Sequence, residues 1–165
     1  MTWVRRLPYC WRVSRYSPEL RIPDSKWESW IDVSQVGQTF NGLLLTSEEY
    51  QRVEDAYVHA AFQFALDTST QVFRIAYLGH QEEGYALSPD QTLLRSDLGP
   101  VVRGNLRGSL DCGLEGTEYG CQILFGFDLY MYVAASGPCP QAVTGTERGG
   151  LFVEPGVNPP QWEQE

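Results

Sequence analysis

The stretch from Leu110 to Val133 alternates apolar and polar residues so regularly that it constrains the fold more than any other part of the chain. Side chains on a strand point alternately to the two faces of its sheet. With Gly116-Thr117 as a two-residue turn, glycine in first position suiting type II′ geometry, Glu115 opposes Glu118 and Leu114 opposes Tyr119. In the same register Gly113 opposes Gly120 and Cys112 opposes Cys121. One face then collects Leu110, Cys112, Leu114, Tyr119, Cys121 and Ile123, and the other Asp111, Gly113, Glu115, Glu118, Gly120 and Gln122. A slip of one residue would invert this split, so the pattern supports the register. Gly126 permits a bend, and a third strand follows with Leu129, Met131 and Val133 on one side and Asp128, Tyr130 and Tyr132 on the other. The segment is expected to form a three-stranded antiparallel meander.

The clearest helical signal lies at residues 46–67. Thr46-Ser47-Glu48-Glu49 is a capping box, with Thr46 as N-cap and Glu49 three residues on. Tyr50, Val53, Tyr57, Ala60, Ala61 and Phe64 recur at helical spacing. Glu48, Glu49, Glu54 and Asp55 fall early, where the helix dipole favours negative charge. His59, inside this helix, reads as a packing or surface residue. Residues 70–78 are rich in β-branched and aromatic types and read as a strand ended by Gly79. Ser88-Pro89-Asp90-Gln91 has the pattern of a short helix start. Asp97 can cap a further helix with Leu98, Val101, Val102, Leu106 and Leu110 as its apolar stripe, weakened by Gly99, Gly104 and Gly108.

Near the front, Tyr9, Trp11 and Val13 alternate with Cys10, Arg12 and Ser14, the pattern of an edge strand. Pro18 and Pro23 break it, and Trp27 and Trp30 follow on a turn-like segment. After Val133 the chain is rich in Gly and Pro; residues 150–154 can add a last short strand, and 155–165 read as a loose tail. These elements assemble into a single α+β domain over residues 1–154, an antiparallel sheet with two main helices packed on one face. A chain of 165 residues buries about 70% of its unfolded surface, so the fold needs no metal or disulfide staple.

Charge narrows the choice of partner. Twelve basic residues oppose 21 acidic ones, for a net charge of −9. The first 30 residues are locally +3 and the remainder −12. A body this negative repels phosphate backbones and attracts a basic protein, so nucleic acid is not expected as a partner. No run of 18 apolar residues marks a membrane span, and the N-terminus lacks the apolar run of a secretory signal, which points to the cytoplasm. The sequence has no G-x-S-x-G, P-loop, H-E-x-x-H or G-x-G-x-x-G motif. Cys10, Cys112, Cys121 and Cys139 form no C-x-x-C pair and, with only His59 and His80, no zinc spacing, so neither metal nor cofactor is expected. Cys112 and Cys121, opposed in the assumed register, are expected to be reduced thiols filling a core layer.

The residues best placed for binding are Asp111, Glu115, Glu118 and Asp128 with Tyr130 and Tyr132, all on the polar face of the meander. Glu115 and Glu118 facing each other across the turn repel unless a cation comes between them. Gly113 and Gly120 leave a flat patch that another backbone can approach. Tyrosines among carboxylates are the usual anchors of a charge-steered protein interface.

The order of local features also carries a resemblance. It runs Tyr16-Ser17-Pro18-Glu19-Leu20-Arg21, Trp27-Glu28-Ser29-Trp30-Ile31-Asp32-Val33, Phe40-Asn41-Gly42, Leu45-Thr46, Glu49-Tyr50, Val53-Glu54 and Ala56-Tyr57. This resembles a family of small bacterial proteins whose members read Y-x-P-x-x-R, E-W-T-S-x-x-D-I-G, F-x-G, L-T-x-x-E-Y and V-E-x-x-Y-I. Phe125-Gly126-Phe127-Asp128-Leu129-Tyr130-Met131-Tyr132 is similar to the family's F-G-Y-D-Y-Y-M-Y, and Pro138-Cys139 and residues 150–154 are similar to its ending. The likeness covers residues 9–155. The chain departs from the pattern at Trp30-Ile31-Asp32, where Ser-x-x-Asp is usual, and at Gly108-Ser109, where the helix elsewhere is charged. Small acidic members look like immunity proteins of bacterial polymorphic toxin systems, which bind and block a cognate toxin in the producing cell. The resemblance brings no catalytic residues. It implies a non-enzymatic inhibitor of a basic toxin, and a nuclease is the toxin chemistry whose basic cleft an acidic inhibitor would fill. The residues alone leave two alternatives open: a small cytosolic enzyme using Cys112, His59 or a carboxylate, and a scaffold module of a bacterial complex.

Overall fold

Thr46 has an extended backbone, and its Oγ1 accepts the Glu49 N–H at 3.1 Å, so helix α1 (Ser47–Asp67) begins where the capping box places it. Glu49 does not fold back to close the box; its carboxylate takes Nε and Nη2 of Arg52, both at 2.8 Å. Thr46→Ala should cost about 1 kcal/mol, read as a lower urea midpoint at unchanged slope. The computed structural model describes residues 6–20 and 29–159. The Pro23 break, the Trp27 turn and the end of the tail lie outside the described residues.

Nine strands and three helices are described. A small hairpin of β2 (Thr39–Phe40) and β3 (Leu43–Leu44) precedes α1. The other strands are β1 (Tyr9–Ser14), β4 (Val72–Gln81), β5 (Thr92–Leu94), β6 (Leu110–Gly116), β7 (Cys121–Phe125), β8 (Met131–Ala135) and β9 (Phe152–Pro155). They form one sheet in the order β5-β4-β6-β7-β8-β1-β9, antiparallel at every pairing. With α2 (Leu98–Leu106) and α3 (Pro140–Arg148) this is an α+β domain. No helix among the described residues is long and apolar enough to cross a membrane.

Opposed residues in an antiparallel sheet share a face, which separates the two sides cleanly. The row Ile75–Leu114–Ile123–Val133–Trp11 lies on the core side. It packs with Tyr57, Ala61 and Phe64 of α1, Val101 and Val102 of α2 and Ala142 of α3, so all three helices cover one face. The row Arg74–Glu115–Gln122–Ala134–Cys10 lies on the other. That side has its own small cluster of Leu124, Tyr132 and Ala134, against which Leu7, Cys10, Tyr130 and Val157 pack. The apolar and polar faces therefore follow the alternation in the sequence.

Several local expectations need correction. Gly116-Thr117 is not the turn. Thr117 N–H donates to Val72 O at 3.0 Å, which keeps β6 paired with β4 and moves the turn to residues 117–120. Leu114 opposes Ile123 and Glu115 opposes Gln122, a shift by an even number of residues that preserves the faces while changing every partner. Cys121 consequently faces Ala135, Cys112 faces Leu78, and all four cysteines are free. β1 is not an edge strand, because β9 pairs outside it. Gly79 does not end β4. It sits at a bulge where the Tyr77 hydroxyl, donating to Asp111 Oδ2 at 3.0 Å, occupies the place a Cβ would need. Residues 88–91 form a turn rather than a helix, with Gln91 Oε1 accepting Ser88 N–H at 2.9 Å. The Gly- and Pro-rich stretch instead contains α3, with Pro140 in its first turn and Asp67 Oδ2 accepting the Ala142 N–H at 2.8 Å.

A buried carboxylate locks α2 to α1. The Glu54 side chain is 1% exposed and receives Arg103 Nη1 at 3.0 Å and Arg107 Nε and Nη2 at 2.8 Å each. Arg103 also reaches Asp55 at 2.7 Å. Burial alone would raise the Glu54 pKa, but the hydrogen bonds from Arg107 and Arg103 outweigh it and hold the carboxyl below its usual range.

Candidate functional site

The six residues selected from the meander do not form one surface. Glu115 is 1% exposed; Arg74 Nη2 pairs with its Oε2 and Gln122 Nε2 donates to its Oε1 at 3.1 Å. The cation expected beside Glu115 exists, and it is the chain's own arginine. Tyr132 is buried. Tyr130 is half-buried, edge-on to Tyr16 with ring centroids 5.9 Å apart and with the Arg12 guanidinium 4.9 Å from its own ring centre. Asp111, Glu118 and Asp128 remain accessible to differing degrees. Glu118 does not oppose Glu115 but sits in the β6–β7 turn, whereas Asp111 is the second residue of β6, at the end shared with the β7–β8 turn. At about 3.3 Å per residue these two ends are roughly 20 Å apart. Gly120 is no open patch either, since a Cβ there would meet Thr70 Oγ1 at 3.0 Å.

The feature that stands out is the β7–β8 turn. Asp128 (φ 59°) and Leu129 (φ 62°) are both left-handed, and Tyr130 N–H donates to Phe127 O at 3.3 Å, a type I′ turn. Such turns favour Asn-Gly; a leucine there costs about 1–2 kcal/mol. Two anchors hold it. The Leu129 side chain is buried in the core, and the Leu129 carbonyl accepts the hydroxyl of Tyr57. Tyr57 is wholly buried in α1, and its hydroxyl oxygen also accepts the Arg15 N–H at 2.9 Å. One phenol therefore ties the turn, the end of β1 and the helix together.

The turn displays Phe127, which is 90% exposed, the most of any large apolar side chain described. Beside it lies a cavity of about 200 Å³ lined by Ile31, Asp32, Asn105, Leu106, Phe125 and Asp128 among others. Asp32 is exposed and fixed, its Oδ1 accepting the Ser34 N–H at 2.7 Å at the start of a single 3-10 turn (Val33–Gln35). Asn105 is fixed from α2: its Oδ1 accepts the Cys112 N–H at 2.9 Å and its Nδ2 donates to Val101 O at 2.8 Å. An exposed aromatic on a braced turn, with two aspartates at its rim, has the chemistry with which a side chain can anchor a protein partner.

The sequence reading contained Asp128 but missed Phe127, Asp32 and Tyr57. Phe127 stood inside the family-like string, and the signal available was its break from the apolar alternation on either side of Gly126. Of the groups with catalytic precedent, Cys112 is buried and its thiol is pushed up to about 11 by burial, far from a reactive thiolate at neutral pH. Among the described residues no three His, Cys, Asp or Glu side chains gather as metal ligands. No protein-family model, no curated protein and no solved structure matches the chain.

Proposed function

We propose that this chain is an immunity-type inhibitor that binds and neutralises a cognate bacterial toxin in the cytoplasm, without catalysis of its own. The observation that carries the reading is Phe127, held 90% exposed on a strained, braced turn between Asp32 and Asp128. Strain of this kind persists where surrounding structure enforces it, and it clusters at functional sites. A rigid aromatic loses little entropy on docking, and flanking carboxylates on a chain of net charge −9 steer a basic partner. A nuclease toxin, with a basic cleft for phosphates, fits that charge. The resemblance over residues 9–155 points the same way.

The test is to express the reading frame adjacent to this gene in a sensitive host, alone and with this protein. Growth arrest relieved by co-expression is expected. Phe127→Ala should then weaken the complex by about 2 kcal/mol, roughly 30-fold in Kd, and Asp32→Lys with Asp128→Lys should abolish relief. Glu118→Lys, at the far end of the sheet, should leave relief intact. Arrest without relief, or relief untouched by Phe127→Ala and the aspartate reversals, would sink the proposal and move weight to the enzyme and scaffold readings.

A further inference from the structure

Where β1 ends against α1, a cavity of about 90 Å³ opens beside Arg15, Glu49, Arg52, Ala56, Gly149 and Gly150. It is a separate place from the Phe127 turn and from any interface proposed there. Two guanidinium groups and one carboxylate line it, leaving it net positive on a chain of net charge −9.

The balance is uneven at the level of single atoms. Glu49 is fully committed to Arg52, taking Nε and Nη2 through both of its oxygens. Among the described residues Arg15 has no carboxylate partner within ion-pair distance. Its Nη1 donates to Ser29 Oγ at 2.8 Å and Trp30 O at 2.7 Å, and its guanidinium lies flat over the Trp30 ring, 3.8 Å from the centroid, and 4.9 Å from that of Tyr16. These contacts fix the group in place through Nη1; the Tyr16 hydroxyl also acts on the guanidinium, and among the described residues Nε and Nη2 meet no carboxylate. Arg52 likewise keeps Nη1 uncommitted, and this nitrogen lies at the cavity's Gly150 edge, 3.7 Å from where a Cβ on that glycine would stand. A half-buried, rigid cation that touches no carboxylate among the described residues and feels Glu49 only at longer range, next to a second guanidinium with a nitrogen outside the Glu49 pair, is the donor set that tetrahedral oxyanions take. The volume admits a few waters or one such ion and excludes a drug-sized molecule.

We infer that this cavity is a binding site for a single tetrahedral oxyanion of the phosphate class, held between Arg15 and Arg52. The ion would accept from Nε and Nη2 of Arg15 and Nη1 of Arg52, and so neutralise the charge that Glu49 leaves over. Ala56 and Gly150 keep the space open, and a longer side chain at position 56 would fill it.

The test is a titration of the full chain with inorganic phosphate at constant ionic strength, followed by the Arg15 and Arg52 Nε–H and Gly150 amide resonances. Saturable shifts with a dissociation constant on the order of 1 mM are expected, with chloride giving none. Arg52→Gln, at an exposed position, should weaken binding about tenfold without unfolding the chain. Ala56→Leu should abolish binding with both arginines intact, which covers the case that Arg15→Gln disturbs the Trp30 packing. A parallel titration with glycerol 2-phosphate separates the sources: tighter free phosphate means an enclosed ion, and tighter ester means the headgroup of a larger ligand, each consistent with the site. Non-saturating shifts, or saturation unchanged in Arg52→Gln and Ala56→Leu, would overturn it.

Discussion

Glu54→Gln is expected to destabilise the domain by about 3–5 kcal/mol, a large part of what a domain of this size possesses. The variant keeps the shape and removes the charge, leaving the guanidinium groups of Arg103 and Arg107 facing a neutral amide in a site that is 1% exposed on the glutamate side. Chemical denaturation measures it directly, and a loss under 1 kcal/mol would show that the two arginines satisfy themselves in water. The same cluster gives the pH response its sign. The carboxyl has a lower pKa folded than unfolded, so its contribution is complete above the unfolded value near 4.5 and drains away as the pH falls through the folded one. Wild-type stability should therefore fall with acid below about pH 4.5, and the Glu54→Gln chain should show a shallower fall over that window.

Tyr57→Phe is expected to cost about 2–3 kcal/mol although it deletes one oxygen. That oxygen donates to Leu129 O and accepts from Arg15 N–H, so its loss strands two backbone groups at once. It also removes one of the two anchors of a turn that holds leucine in a left-handed conformation. Faster amide exchange at Gly126 and Tyr130 should accompany the loss of stability, because these residues close the hairpin. If the turn is the binding element proposed, affinity should drop in the same variant with Phe127 itself untouched. Unchanged exchange at Gly126 and Tyr130 would show that the buried Leu129 side chain suffices.

The α+β class, the capping of α1 and the two faces of the meander were legible because each depends on neighbours in sequence. Thr46 caps a residue three positions away, and strand alternation is local by nature. The register of β6 on β7 was not legible, since the choice of turn depends on Thr117 bonding to Val72, 45 residues earlier. The same distance hid the fate of Glu115: its partner Arg74 is 41 residues away, on a strand whose pairing no local pattern fixes. α3 was hidden for a different reason. Gly145 and Pro140 depress its helical signal, and the helix stands by packing along α1 rather than by propensity. Of the residues expected to bind a partner, Asp111, Glu118 and Asp128 remain accessible, Glu115 and Tyr132 are buried, and Phe127 emerges because only the structure shows that its side chain faces solvent.

The position of β1 between β8 and β9 has a consequence in time. Among the described residues β9 pairs with β1 alone, and Arg12 meets Glu154 at 2.9 Å across 142 residues of chain. During synthesis β1 leaves the ribosome well ahead of β9, and one of its rims stays unpaired while the 142 positions between Arg12 and Glu154 are made. Pairings of such long sequence separation are slow to close, and an unpaired rim invites the wrong neighbour. A nascent chain stalled before Phe152 would carry that exposed rim, and chaperone engagement should persist until β9 has emerged.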